Sequence, residues 1–163
     1  MRTFAVAALA VIASADPSDF PKDAWNHAGC HMTVTYPNTN CESLWNAMNS
    51  EINAWNPEPL DTPGYYSVYE EVPDQYIWSN RLTYNQKYND EQLFEFAPSG
   101  AGCQVVAKSR SDTVSMLDNC VNYCNMWNVF NGLEEAGVGS FTIDKVFSCS
   151  QTPSDPVTTC ARY

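Results

Sequence analysis

The chain has 163 residues, and its 19 acidic side chains against eight lysines and arginines give a formal net charge of −11. This length fits one domain, and the negative charge argues against nucleic acid or an anionic membrane surface as a partner. Only 17% of the residues are charged, whereas five tryptophans, nine tyrosines and seven phenylalanines are present. We therefore expect a sizeable core rich in aromatic side chains.

The first fifteen residues have the features of a secretory signal peptide. Arg2 supplies the positive charge, residues 4–13 form an apolar run, and Ala13-Ser14-Ala15 is a small-residue cleavage motif. Cleavage there would leave residues 16–163 as a single secreted domain. The apolar run is shorter than the roughly 20 residues that a membrane-spanning helix needs, so no membrane span is expected.

Seven cysteines follow the predicted signal peptide. In an extracellular protein they indicate a disulfide framework, and their odd number allows at most three intrachain bridges. The spare cysteine could be buried or could link two chains in a dimer. We expect two of them, one helical turn apart, to anchor two separate disulfides and a third to fix the C-terminal tail. The two anchors are Cys120 and Cys124, and the cysteine of the tail is Cys160. The seven cysteines are Cys30, Cys41, Cys103, Cys120, Cys124, Cys149 and Cys160.

The first regular element after the signal peptide is a helix. Its apolar positions recur every three or four residues, Asn40 can cap its start, and Pro57 lies just beyond its end. The spacing predicts a helix near 41–55 that buries one face. The apolar positions are Leu44, Trp45, Met48, Ile52 and Trp55.

The hydrophobic period then changes from that of a helix to that of a strand. The segments "GYYSVYEEV", "QYIWSNRLTY", "EQLFEFA" and "CQVVAKS" alternate and are separated by turn residues, which predicts a four-stranded antiparallel meander. A second helix near 116–135 and a strand within 140–148 follow. The order helix, four strands, helix, strand predicts an α+β fold: an antiparallel sheet of about five strands against two helices.

Asparagine recurs at every third position of the second predicted helix, at 119, 122, 125, 128 and 131. Three residues turn a helix by about 300°, so these side chains drift around it, and most are expected to be exposed. Asp118 and Asn122 differ because they are four residues apart near the helix start. We predict that both are structural and satisfy backbone groups where strand meets helix.

The stretch "KSRSDTVSMLDNCVNYCN", with the preceding "LTYNQKYNDEQLFEF", resembles a bacterial and plastid domain family of unknown function. In that family an Arg-Ser-rich strand precedes a Ser-Asp-x-x-x-Asn sequence that opens a helix. Asp118 and Asn122 match this sequence, Arg110-Ser111 match with a shift of about one position, and Asn89-Asp90 resemble an aspartate-bearing turn. The resemblance extends over residues 28–135 and implies a fold rather than an activity.

The candidates for catalysis or metal binding are few. His27, Cys30 and His31 could bind zinc, but Cys30 is more simply a disulfide partner, so no metal is predicted. Nucleophile-elbow, phosphate-loop and dinucleotide glycine patterns are all missing from the sequence, so no cofactor is predicted either. The carboxylate pairs Asp90-Glu91 and Asp112/Asp118 could serve glycoside chemistry but are expected to be exposed turn residues.

Three functions remain open. The first is a binding module for an apolar or aromatic ligand, with Trp78, Tyr84, Phe94 and Trp127 as walls of a cavity between the sheet and the second helix. The second is an extracellular hydrolase that uses the His27/His31 region or a carboxylate pair. The third is a structural component of an extracellular matrix or cell covering.

Overall fold

The computed structural model describes residues 16–56, 64–83, 85–161 and 163, and the predicted signal peptide therefore lies outside the described residues. Strands and helices enclose one core in an α+β fold, as predicted. The elements in chain order are β1 (Gly29–Tyr36), α1 (Cys41–Ala54), β2 (Gly64–Val72), β3 (Tyr76–Thr83), β4 (Asn89–Ser99), β5 (Gly102–Ser111), α2 (Val121–Glu135), β6 (Thr142–Phe147) and α3 (Pro156–Cys160), preceded by a 3₁₀ turn at Pro17–Asp19.

The sheet is antiparallel with the order β2-β3-β4-β5-β1-β6, so it has six strands rather than about five. The additional strand is β1, which lies between β5 and β6. Its side chains alternate in the manner of a half-buried strand: Cys30, Met32, Val34 and Tyr36 are fully buried, and the three between them are half-buried.

The first helix agrees with its prediction, whereas α2 begins five residues later than predicted. Asn40 caps α1 by accepting a hydrogen bond from the backbone N–H of Ser43 at 2.8 Å. Residues 112–120 are a loop, because Asn119 and Cys120 have φ angles of 53° and 69°. Left-handed backbone cannot continue a right-handed helix, so α2 starts only at Val121.

The main core lies between one face of the sheet and the helices. Within it, Phe130 of α2 packs against Phe94 and Tyr36 at ring-centroid distances of 5.8 and 6.3 Å. A smaller cluster covers part of the opposite face of the sheet and is built from Phe20, Tyr76, Trp78 and Leu93.

Three disulfides join Cys30 to Cys149, Cys41 to Cys103, and Cys124 to Cys160. The third fixes the tail, as predicted. Cys120 forms no disulfide, so the prediction that it anchors a bridge is wrong: the three pairs leave it as the odd cysteine in the left-handed loop before α2. Among the helices described, none is long and apolar enough to cross a membrane.

Candidate functional site

Of the four aromatic residues predicted to line one cavity, the three described are divided between the two faces of the sheet. Trp78 lies in the smaller cluster, where its ring is 5.4 Å from Phe20, whereas Phe94 is fully buried in the main core. In the ladder Trp78 pairs with Leu93, the residue before Phe94, and neighbouring positions of a strand point to opposite faces. Trp127 lies on α2, 8% exposed, and Tyr84 falls outside the described residues.

The two histidines have separate partners. Nδ1 of His27 is 2.9 Å from the carbonyl oxygen of Ser111, and Nε2 of His31 is 3.1 Å from a carboxylate oxygen of Asp23. Cys30 is bridged to Cys149, so it is not available to bind a metal beside them. Within the described ranges, the side chains form no group of three or more potential metal ligands.

A buried group of polar side chains lies where the ends of β3, β4 and β5 meet the start of α2. We call it the polar cluster, and every member is at most 6% exposed. Burying so many polar groups is costly unless each finds a partner. Its members are Arg81, Asp90, Ser109, Ser111, Asn122 and Asn125.

Asp90 is the acidic member of the polar cluster. Its Oδ1 accepts a hydrogen bond from the Ser111 hydroxyl at 2.7 Å, and its Oδ2 accepts one from Nδ2 of Asn125 at 3.0 Å. Nη1 of Arg81 is 3.8 Å from the same Oδ2. Burial raises the pKa of Asp90, and the contacts with Asn125, Ser111 and Arg81 offset only part of this increase.

Asn122 connects α2 to the sheet. Its Nδ2 donates to Oδ2 of Asp118 at 2.7 Å, to Oγ of Ser111 at 3.0 Å and to the carbonyl oxygen of Ala28 at 3.3 Å. Its Oδ1 accepts from the Ser109 hydroxyl at 2.8 Å. The backbone N–H of Asn122 also donates to Oδ2 of Asp118 at 2.8 Å, which is the kind of contact predicted for this pair.

Arg81 fits into the sheet because β2 has a glycine beside it. A Cβ atom at Gly64 would lie 2.6 Å from Nε of Arg81, closer than real Cβ contacts. The guanidinium also faces the buried Tyr66. Burial raises the pKa of Tyr66, the nearby Arg81 offsets part of this increase, and the resulting pKa is about 12.

A cleft of about 340 Å³ opens above the polar cluster, and we call it the β4–α2 cleft. Asp90, Ser111 and Asp118 contribute polar groups to it. Its rim is apolar and exposed at Val114 and Leu117, which are 73% and 71% exposed. Its further lining residues are Thr83, Tyr88, Thr113, Ser115, Asn119 and Val121.

Two buried oxygen atoms of this lining have no hydrogen-bond partner among the residues described: Oγ1 of Thr113 and Oδ1 of Asp118. A polar atom that is shielded from solvent and unpaired costs free energy, typically about 1–3 kcal/mol. A ligand donor that reaches either atom when the exposed rim residues move aside would recover part of that cost.

The sequence predicted only part of this site. The expectation that Asp90 is an exposed turn residue is wrong, because Asp90 is the second residue of β4, has its side chain on the helix-facing side and is 2% exposed. Asn122 and Asn125 are fully buried, although most of the helix asparagines were expected to be exposed. Asp90, Ser111, Asp118 and Asn122, which are among the residues that carry the resemblance, lie together here.

No protein-family model and no curated protein matches the chain. Among solved structures, CalU16 from Micromonospora echinospora is similar at 14% identity, with a TM-score of 0.48 over 66% of this chain and 74% of that one. The Mll3558 protein from Rhizobium loti is similar at 16% identity, with a TM-score of 0.44 over 69% of this chain and 95% of that one.

Proposed function

We propose that the chain is a secreted, non-enzymatic binding protein whose β4–α2 cleft takes a small ligand. The ligand has an apolar body and at least one hydrogen-bond donor. The observation that carries this proposal is the pairing of an exposed apolar rim, at Val114 and Leu117, with the two unpaired buried oxygens of Thr113 and Asp118. Small-molecule sites typically combine apolar walls with a few polar groups that fix the ligand's orientation.

The acceptor in this cleft is held in place before a ligand arrives. Both hydrogen bonds to Oδ2 of Asp118 come from Asn122, whose carboxamide is in turn fixed by Ser109 and Ser111. The other oxygen, Oδ1, is therefore positioned without a partner of its own. Such preorganisation increases affinity because the side chain loses little freedom on binding.

The contacts of the histidines favour binding over hydrolysis. A catalytic histidine must reach both a nucleophile and an orienting acid. His27 is engaged with a backbone carbonyl, and His31 contacts Asp23 next to Phe147, with neither lining the cleft. A structural role in an extracellular matrix or cell covering would instead predict dimers joined by a disulfide through Cys120.

The binding proposal can be tested with indole and phenethylamine, one neutral and one cationic, each with an apolar ring and a donor. Secreted protein, whose N-terminal sequence should begin at Asp16, is titrated in two-dimensional amide NMR spectra. We expect saturable shifts at Thr113, Asp118 and Val121.

The Leu117→Ser variant should weaken binding, and Val157→Ser is its matched control because Val157 is 67% exposed on α3 and does not line the cleft. Spectra that do not change at about 10 mM, well above a millimolar dissociation constant, would refute the site. Equal binding by wild type and Leu117→Ser would do so too.

A further inference from the structure

A second concave surface lies between α1, α2 and α3, and no residue of it belongs to the β4–α2 cleft. We call it the helix groove, and its volume is about 710 Å³. It combines two indole rings with acidic and amide side chains. The members that matter are Glu51, Trp55, Trp127, Asn131, Gly132 and Glu135.

Gly132 allows the two helices to build this groove. A Cβ atom at this position would lie 2.7 Å from Oε1 of Glu51 and 3.1 Å from Cζ2 of Trp55. Both side chains of α1 therefore rest directly against the backbone of α2. A glycine inside a helix costs roughly 0.5–1 kcal/mol relative to alanine, and here it makes room for a carboxyl and an indole.

The aromatic and polar groups of the groove are fixed side by side. Trp55 packs edge-on against Tyr66, with ring centroids 4.8 Å apart, and contacts the carboxyl group of Glu51. On the α2 side of the groove, Oε1 of Glu135 accepts a hydrogen bond from Nδ2 of Asn131 at 2.8 Å.

Burial raises the pKa of Glu51, with a further contribution from Glu135, while the contact with Trp55 lowers it in part. The Glu51 carboxyl therefore keeps its proton to a higher pH than an exposed carboxyl does.

We propose that the helix groove binds a neutral saccharide. The C–H face of a sugar ring is apolar and flat enough to lie on an indole, while its hydroxyl groups both donate and accept hydrogen bonds. The groove offers both surfaces together: the half-buried Trp55 for the ring, with the buried Trp127 beside it, and Glu51, Asn131 and Glu135 for the hydroxyls. A fatty chain would displace water from these polar groups without replacing its hydrogen bonds, and a polyanion would be repelled by the acidic side chains.

The test uses three trisaccharides, maltotriose, cellotriose and chitotriose, on the full secreted chain. The indole N–H resonances of Trp55 and Trp127 are followed by NMR, and affinity is measured by calorimetry. We expect at least one trisaccharide to shift both indole signals saturably. The signal of Trp25, which is 86% exposed and outside the groove, should not move.

Glu135→Gln should weaken the binding by at least about tenfold, since it removes a charged acceptor. Glu134→Gln is the matched control, because this neighbouring exposed carboxylate does not line the groove. The proposal is overturned if none of the trisaccharides shifts the two indoles at about 10 mM. It is also overturned if Glu135→Gln and Glu134→Gln bind equally. Neither result depends on the β4–α2 cleft.

Discussion

Asn122→Ala is the substitution that most directly measures the polar cluster. Removal of the carboxamide leaves the buried Ser109 hydroxyl without its acceptor and removes a donor from Ser111 and Asp118. One unsatisfied buried group costs about 1–3 kcal/mol, and each lost hydrogen bond about 1 kcal/mol. The carbonyl oxygen of Ala28 stays paired in the variant, because the backbone N–H of Ser111 also donates to it, and it adds no further cost. We therefore expect the free energy of unfolding to fall by about 3 kcal/mol.

Asn131→Ala is the control, since Asn131 lies on the same helix and makes one exposed hydrogen bond, to Glu135. Both substitutions replace an asparagine of α2 by alanine, so their difference reports mainly on the contacts of the polar cluster. That control should change the free energy of unfolding by about 0.5 kcal/mol or less. The measurement is urea unfolding with the disulfides intact. A difference below about 1 kcal/mol between the two variants would refute the view that the cluster holds α2 to the sheet.

Three further predictions concern the same fold. Because burial raises the pKa of Asp90, its stabilising contribution is complete below its ordinary value of 3.8 and is lost as the pH rises through the raised pKa. Asp90→Asn should therefore flatten the decrease of the free energy of unfolding with rising pH; an unchanged slope would contradict this. Gly64→Ala should destabilise by about 1–3 kcal/mol in urea unfolding, because its Cβ would collide with the buried Arg81, whose room to move is small; a neutral effect would show that Arg81 can shift. Thiol titration of the unfolded, unreduced chain should find one free thiol, absent in Cys120→Ser, and two or more thiols would contradict the three bridges.

Much of the fold could be predicted because it depends on local patterns. The helix at Cys41–Ala54 combines a capping residue with apolar positions at helical spacing, and the four strands from Gly64 to Ser111 alternate between turn signals. The strand at Gly29–Tyr36 has the same alternation, but it was not among the predicted elements. The start of α2 was misplaced because the apolar spacing continues into a loop whose left-handed residues cannot be recognised from type alone.

The candidate site was predicted only in outline. Asp118 and Asn122 were singled out by their spacing, and they do contact each other. The burial of Asp90 was not foreseen, since a carboxylate that follows a turn is usually exposed, and the partners that stabilise it are distant in sequence: Asn125 is 35 residues away and Ser111 is 21.

The sequence by itself determined the period of each element, the position of caps and turns, and the number of disulfides that seven cysteines allow, because these depend on neighbours within a few residues. Tertiary structure decided which cysteine forms no disulfide, which strand lies between β5 and β6, and which asparagines are buried. It also decided that Trp78 and Phe94 lie on opposite faces of the sheet. These outcomes depend on strand register and on long-range pairing, and a shift of one residue in register would exchange the two faces.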